Sequence, residues 1–253
     1  MILEFLNELT QAGYRIFTVS DAAATAETLA IKKSNIPYIL KSLVNKKLIR
    51  QLYRGTYAIE DNILSGSPLH KFEIAMHLSR HGSVCCWAAF IFHELSDQVL
   101  SKVFVFSFAE KGKKRSDYQY RIDGYDFRLI QLDPQDKWGI EKRYMGEVRV
   151  NITDLERTLL DGLTYPHYCG GIREVISAFS IAQNRINVRK IIEYSLKMPV
   201  SVQKRLGWIL TQLSLGGLDE LKHRTHTTYY DKLDPLGKRR GKYNKEWMLV
   251  ENF

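Results

Sequence analysis

Residues 34–59 read SNIPYILKSLVNKKLIRQLYRGTYAI, and the fold predicted for the beginning of the chain follows from this stretch. Ser34 and Pro37 are typical of a helix N-terminus, because a serine hydroxyl can cap the first turn and proline lacks a backbone N–H. We therefore predict a helix that begins at Ser34 and ends at Asn45. Two short β-prone runs follow, and the intervening Arg54-Gly55 favours a tight turn, since glycine permits the backbone that such a turn needs.

The predicted helix has one apolar and one polar face at 100° per residue. The apolar face carries Ile36, Leu40, Leu43 and Val44. The polar face carries Tyr38, Lys41, Ser42 and Asn45, with Asn35 and Lys46 at its edge. Side chains of these polar types bind phosphates or read base edges, asparagine pairing with adenine and lysine with guanine. The polar face therefore predicts a DNA-recognition helix.

Two further helices are predicted before this one. Apolar residues recur at helical spacing from Ile2 to Leu9, and Gly13 ends that helix. Thr18-x-x-Asp21 is a capping box, in which each side chain bonds the backbone of the other, and it opens an alanine-rich helix. Three short helices followed by a basic hairpin predict a winged helix-turn-helix domain over residues 1–60.

The hairpin, or wing, adds Arg50, Tyr53 and Arg54, which suit contact with the DNA backbone or the minor groove. The candidate DNA interface thus consists of Ser34, Asn35, Tyr38, Lys41, Ser42, Asn45, Lys46, Arg50, Tyr53 and Arg54. The alternative is a solvent-exposed helix beside a plain hairpin, since many winged helices bind only other proteins.

Composition agrees with a globular protein that binds a polyanion. The 253 residues carry a formal charge of +9, which favours nucleic acid or an anionic membrane surface as partner. Apolar residues make up 45% and charged residues 26%, which excludes wholesale disorder. The three cysteines cannot all pair within one chain, which suits a reducing compartment. With no signal peptide and no apolar run long enough to span a bilayer, we expect a cytoplasmic protein without a membrane partner.

The remainder of the chain predicts a larger domain. Residues 61–67 are rich in turn-forming types and predict a linker, followed by a domain over residues 68–253. Helices are predicted over 68–80 and 84–95, strands over 103–108, 118–122, 125–132 and 147–151, and helices near 172–181, 188–196 and 202–213. Asp123-Gly124 favours a β-hairpin, and Thr153-x-x-Glu156 predicts a capping box that opens a helix ending at Leu163. Strands followed by helices indicate an α+β fold.

A second basic segment lies near the end of the chain. Residues 222–245 hold eight Lys or Arg against two Asp, with tyrosines interleaved. Charge and aromatic stacking together suit nucleic acid, while a solvated tail explains the composition equally well. Lys238, Arg239, Arg240 and Lys242 form the possible secondary basic surface.

Motifs for catalysis are weak. Asp126 followed by Glu141-Lys142-Arg143 loosely imitates a metal-dependent nuclease, but the last position is arginine, which does not release its proton and is a poor base. No cysteine or histidine pair has zinc-ligand spacing, and no glycine-rich loop is present. We expect no catalytic residue, no metal and no cofactor. A DNA-processing, nuclease-like enzyme carried by the winged helix stays the alternative, and a pure protein-interaction module is a third class.

The sequence resembles the AbiE-type antitoxins of type IV toxin–antitoxin and phage abortive-infection systems. The resemblance begins in the predicted winged helix, at residues 17–23 (FTVSDAA), 34–44, 48–50 (LIR) and 54–57 (RGTY). It continues at residues 150–161 (VNITDLERTLLD), 204–208 (KRLGW), 233–236 (LDPL) and 247–252 (WMLVEN), so that it spans nearly the whole chain.

The resemblance implies a bacterial autorepressor that binds inverted repeats of double-stranded DNA in its own promoter through the winged helix. It also implies that the C-terminal domain opposes a separately encoded nucleotidyltransferase toxin without a stable complex between the two. Such a protein is a transcriptional repressor and antitoxin, not an enzyme.

Overall fold

The structure is a computed structural model that describes residues 1–64, 68–79, 81–98, 102–108, 118–145 and 148–253. The chain divides into two compact units. The first unit consists of Met1–Leu78 and Arg121–Tyr125, and the second of Ser79–Tyr120 and Asp126–Phe253. Helices and strands are mixed along the chain, which confirms the predicted α+β class. Among the described residues, no helix has both the length and the apolar character needed to cross a membrane.

The first unit has the order of elements of a winged helix-turn-helix. Its elements are α1 (Ile2–Gln11), β1 (Ile16–Thr18), α2 (Val19–Thr28), a 3-10 turn (Lys33–Asn35), α3 (Ile36–Asn45), β2 (Ile49–Tyr53), β3 (Thr56–Ile59) and α4 (Lys71–Leu78). The three strands form an antiparallel sheet in the order β1-β3-β2. The predicted winged helix is therefore confirmed.

Local signals place most of these elements. The predicted capping box is present, because the amide of Asp21 donates to Thr18 Oγ1 at 3.2 Å and the amide of Thr18 donates to Asp21 Oδ2 at 2.7 Å. Gly55, at the turn of the wing, has a φ of +72°, a backbone that other residues rarely adopt. The helices then bury their apolar faces in one core that includes Phe5, Leu9 and Phe17.

Helix α3 differs from its prediction at the start and on one flank. It begins at Ile36 with Asn35 as N-cap, while Ser34 lies in the preceding 3-10 turn and does not cap the helix. Ile39 is fully buried, whereas Val44, which was assigned to the apolar face, is 36% exposed. At 100° per residue, Ile39 lies about 60° to one side of Ile36 and Val44 about 80° to the other, so Val44 falls at the margin of the buried face.

The first unit extends beyond the predicted domain 1–60. Ile63 and Leu64 pack against its core, and the amide of Leu69 donates to Asp61 Oδ1 at 3.1 Å. Within α4, Glu73 forms an ion pair with Arg15 at 3.4 Å. These contacts draw residues 61–64 and α4 into the first unit, although residues 61–67 were predicted as a linker. Residues 65–67 lie outside the described part of the chain.

The elements that follow α4 are β4 (Ser83–Cys85), α5 (Cys86–Phe92), β5 (Lys102–Phe108), β6 (Tyr118–Ile122), β7 (Tyr125–Leu132), β8 (Ile140–Met145), β9 (Val148–Thr153), α6 (Leu155–Thr164), α7 (Ile172–Ala182), α8 (Val188–Ser195), α9 (Val200–Gln212), α10 (Asp219–Thr225), β10 (Asp231–Lys232), β11 (Lys242–Asn244) and β12 (Leu249–Glu251). A six-stranded sheet has the order β6-β7-β5-β4-β9-β8, with β4 parallel to β9 and β5 parallel to β7. The last three strands form a second sheet in the order β10-β12-β11.

Two local predictions in this part are corrected and one is confirmed. The helix predicted over residues 84–95 is instead β4 followed by α5, with a φ of +51° at Cys86 where the strand ends. The cap of α6 is Asp154, whose Oδ1 accepts from the amide of Arg157 at 2.8 Å, because Thr153 is still paired in β9. Asp123 and Gly124 both have positive φ, as the predicted hairpin turn requires.

The second unit is packed tightly where α9 meets the last sheet. Trp247 is fully buried, and its Nε1 donates to Thr211 Oγ1 at 3.0 Å. A Cβ added to Gly207 of α9 would lie 2.0 Å from Cζ3 of Trp247. Glycine is required here by the close approach of the ring, since any larger residue overlaps it.

We expect Gly207→Ala to lower the free energy of unfolding of the second unit by roughly 1–3 kcal/mol, because the added methyl group overpacks the site. The measurement is urea unfolding followed by tryptophan fluorescence, to which all four tryptophans contribute from the second unit. Gly216→Ala is the control, because a Cβ at Gly216 meets nothing within 4 Å. Equal stability of the two variants would contradict the packing described.

Candidate nucleic-acid interface

The outward face of α3 is open to solvent. Tyr38 is 66% exposed, and Lys41 and Asn45 are exposed beside it. Among the described residues, none forms a hydrogen bond or ion pair with these three side chains. The face thus presents an aromatic ring, an ammonium group and an amide, which are groups able to contact phosphates and base edges.

The ends of α3 carry other predicted residues. Ser34 and Asn35 are exposed in the 3-10 turn that precedes the helix, and Lys46 is exposed at its C-cap. Ser42 is half-buried. The wing residue Arg54, at the β2–β3 turn, is exposed as well. Seven of the ten side chains predicted to contact DNA are therefore exposed.

Two predicted wing residues are engaged inside the first unit. Arg50 is 25% exposed and pairs with Asp123 at 2.9 Å and with Glu60 at 3.0 Å. Burial lowers the pKa of Arg50, but the hydrogen bond to Asp123 and the charges of Asp123, Glu60 and Asp61 together outweigh burial and raise it. The hydroxyl of Tyr53 donates to the backbone oxygen of His77 at 3.1 Å. Arg50 and Tyr53 thus hold the unit together, and the proposed interface omits them.

Further exposed cations lie beside the predicted residues. Lys32 and Lys47 are exposed directly beside the predicted residues, and Lys33 is exposed while paired with Glu27 at 2.5 Å. Their position in the sequence could have identified them, because Lys32-Lys33 directly precedes Ser34 and Lys47 directly follows Lys46. These side chains lie at the two ends of α3, where phosphate contacts usually position a recognition helix.

The basic segment near the end of the chain is part of the second unit and is held in place. Lys238, Arg239, Arg240 and Lys242 are all exposed. Asn252 Nδ2 donates to the backbone oxygen of Lys238 at 2.9 Å, and Arg239 donates to the backbone oxygen of Tyr230 at 2.5 Å. The segment connects β10 with β11 in the small sheet and is therefore not a free tail.

The residues of the nuclease alternative are not brought together. Asp126 lies on β7 and Glu141 on β8, and three strands separate β7 from β8 in the sheet. Four inter-strand spacings amount to roughly 19 Å, too far for two carboxylates to share one metal ion. Among the described residues, no group of three or more His, Cys, Asp and Glu is placed to hold a metal ion.

Helix α6 contains two buried ionisable residues, Arg157 and Asp161, that form an ion pair. Arg157 Nε and Asp161 Oδ1 are 2.7 Å apart, and the Arg157 guanidinium lies 3.6 Å from the ring centre of Trp138. Burial raises the pKa of Asp161 to about 8, although the charge of Arg157 opposes that rise. The free thiols of Cys85, Cys86 and Cys169 are also buried. Arg157, Asp161 and the three thiols are therefore shielded from solvent.

Comparison with known proteins bears on the fold. No family model matches the chain, and no curated protein matches it in sequence. The structure is similar to the crystal structure of RV2827C protein from Mycobacterium tuberculosis, with a TM-score of 0.66 and 13% identity. The similarity covers 97% of this chain and 89% of that one. At this identity the likeness shows a shared fold alone.

Replacing the two wing arginines should have different effects on the stability of the first unit. We expect Arg50→Ala to destabilise the first unit by about 1 kcal/mol through loss of its ion pairs, which lowers the melting temperature of a unit this size by about 4–8 °C. Arg54→Ala removes an exposed side chain and should leave the melting temperature within about 1 °C. Differential scanning calorimetry of the two variants makes the comparison, and a reversed order would show that Arg50 is not structural.

Proposed function

We propose that this protein is a DNA-binding transcriptional autorepressor that recognises inverted repeats in its own promoter. The main support is the exposed polar face of α3, where the side chains of Tyr38, Lys41 and Asn45 have no hydrogen-bond or ion-pair partner among the described residues. The apolar face of the same helix is buried in the winged helix, so the polar face is presented as a rigid surface. Lys46 and Arg54 add charge at the helix end and at the wing.

We further propose that the protein is the cytoplasmic antitoxin of a type IV toxin–antitoxin system and counteracts a nucleotidyltransferase toxin without a stable complex and without catalysis. The support is the resemblance to AbiE-type antitoxins across both units. The motifs of that resemblance that fall in the second unit contain Arg157 and Asp161 of α6 and Lys204 and Gly207 of α9. All four residues are buried. These motifs therefore support a common fold of the second unit, and the antitoxin role follows from the resemblance.

The alternatives predict different behaviour. A nuclease requires DNA cleavage that depends on Mg²⁺, and the separation of Asp126 from Glu141 gives that function no support. A module that binds only proteins predicts no DNA affinity that falls with salt. Salt-dependent binding without cleavage would favour the repressor over both.

For operator binding, we expect Lys41→Ala to weaken binding to specific and random DNA alike and to flatten the slope of log affinity against log salt by about 0.9, as loss of one phosphate contact does. Asn45→Ala should relax specificity at one base position by roughly 1–3 kcal/mol. Fluorescence anisotropy with the promoter fragment of its own gene and a scrambled fragment measures both effects. Unchanged affinity in both variants would overturn the assignment of α3.

The matched control is the triple replacement of Lys238, Arg239 and Arg240 by Ala, which removes exposed charge from the second unit. If the winged helix leads DNA binding, this variant changes the salt slope by less than about one unit. A larger change than that of Lys41→Ala would place the main DNA-binding surface at the end of the chain.

For the antitoxin role, we expect co-expression of the protein to restore growth to cells that express a nucleotidyltransferase encoded beside its gene. Lys41→Ala should restore growth equally, because the resemblance assigns toxin neutralisation to the second unit. Growth curves with each protein from an independent promoter separate neutralisation from repression. Failure of the wild-type protein to restore growth would remove the antitoxin role and leave the repressor role standing.

A further inference from the structure

The first unit contains a concavity of about 540 Å³ beside α3. It lies between α2, α3 and the wing, and its walls are mainly apolar. Val19, Ala23, Leu40, Val44 and Tyr57 supply these walls. We call this concavity the α3 groove. Its volume falls within the roughly 300–1,000 Å³ that is usual for small-molecule sites.

Apolar surface is left open in the α3 groove. Val19 is 43% exposed and Val44 is 36% exposed, although both have the branched apolar side chains that normally fill a core. They stand on different elements, α2 and α3, and face one shared space. A bound apolar group would remove this surface from water, which is favourable in proportion to the area covered.

The charged lining of the α3 groove is entirely positive. Lys33 and Lys41 line it, and none of its lining residues is acidic. Lys33 already pairs with Glu27. Lys41 has no hydrogen-bond or ion-pair partner within the described part of the chain. An ammonium group without a partner beside an apolar wall is complementary to a ligand with an anionic head and an apolar body.

We propose that the α3 groove binds a small amphipathic carboxylate, such as a medium-chain fatty acid, with its apolar chain against Leu40 and Val44 and its carboxylate at Lys41. A single anionic head fits the lining better than a diacid, because Lys33 is already neutralised by Glu27. The binding is non-covalent.

The site would couple to DNA through Lys41, and this part of the inference rests on the proposed function. Lys41 lines the α3 groove and also stands on the outward face of α3 with Tyr38 and Asn45. A carboxylate paired with Lys41 neutralises the charge that a phosphate or guanine would otherwise contact. The ligand and the operator therefore compete, and each lowers the affinity of the other by the same factor.

The test uses the full-length protein with decanoate as the probe, below its micelle concentration. Isothermal titration calorimetry measures decanoate and decanol, which share the chain and differ in charge. We expect decanoate to bind at one site per chain and decanol to bind about threefold more weakly, the factor that loss of one exposed ion pair gives. Equal binding of the two would overturn the proposed role of Lys41.

Variants locate the site. Val44→Asp places a negative charge in the apolar wall and should weaken decanoate binding at least about tenfold, while Lys41→Ala should weaken it about threefold. Leu3→Asp is the matched control, because Leu3 is 59% exposed on α1 and does not line the α3 groove. It should bind decanoate as the wild type does. Wild-type affinity in Val44→Asp, with a normal melting temperature, would overturn the site.

The remaining outcomes separate this inference from the proposed function. One outcome is that the wild type binds decanoate, that Val44→Asp abolishes this binding, and that the wild type binds no DNA at any salt concentration. This result would support the α3 groove as a ligand site and contradict the repressor function. Tight operator binding with no decanoate binding supports the repressor and removes the groove ligand. If size-exclusion chromatography shows a dimer that Val44→Asp dissociates, and decanoate does not bind, a second copy of the chain covers the groove and the proposal fails.

Discussion

The packing of the buried face of α3 organises the first unit. Ile36, Ile39, Leu40 and Leu43 are all nearly inaccessible to solvent and pack with residues of α1 and the sheet. Because a helix turns by 100° per residue, fixing these four positions also fixes which side chains point away from the core. Lys41 and Asn45 owe their exposure to this packing, and the candidate interface follows from it.

Within the wing, the same kind of side chain serves two purposes. Arg50 is held by two carboxylates and stabilises the hairpin, whereas Arg54 stands at the turn and is exposed. A guanidinium already bonded to Asp123 and Glu60 is less available to a phosphate, because a phosphate contact would compete with these two pairs. The charge available for DNA is therefore smaller than the number of basic residues suggests.

In the second unit, ionisable residues are used for packing. Lys204 is fully buried and donates to Thr227, to the backbone of Tyr229 and to Asp231. Arg205 donates to the backbone oxygens of Lys232 and Leu163. A buried cation is costly unless it is paired and hydrogen-bonded. A sequence that buries a lysine and an arginine side by side therefore fits few arrangements of the surrounding chain. The Lys204-Arg205 pair of the KRLGW stretch is thus explained by the packing of the second unit.

Features that depend on neighbours along the chain could be predicted from the residues alone. The capping box at Thr18, the turn at Asp123-Gly124 and the amphipathic pattern of α3 are local, and they predicted the winged helix and its outward face. Whether a candidate side chain is already paired could be seen only in the folded chain, because its partners come from distant positions: Asp123 is 73 residues from Arg50. The strand β4, the extension of the first unit to Leu78 and the α3 groove likewise arise from packing between segments. Local propensity carries no information about such contacts, since it is set before the chain folds back on itself.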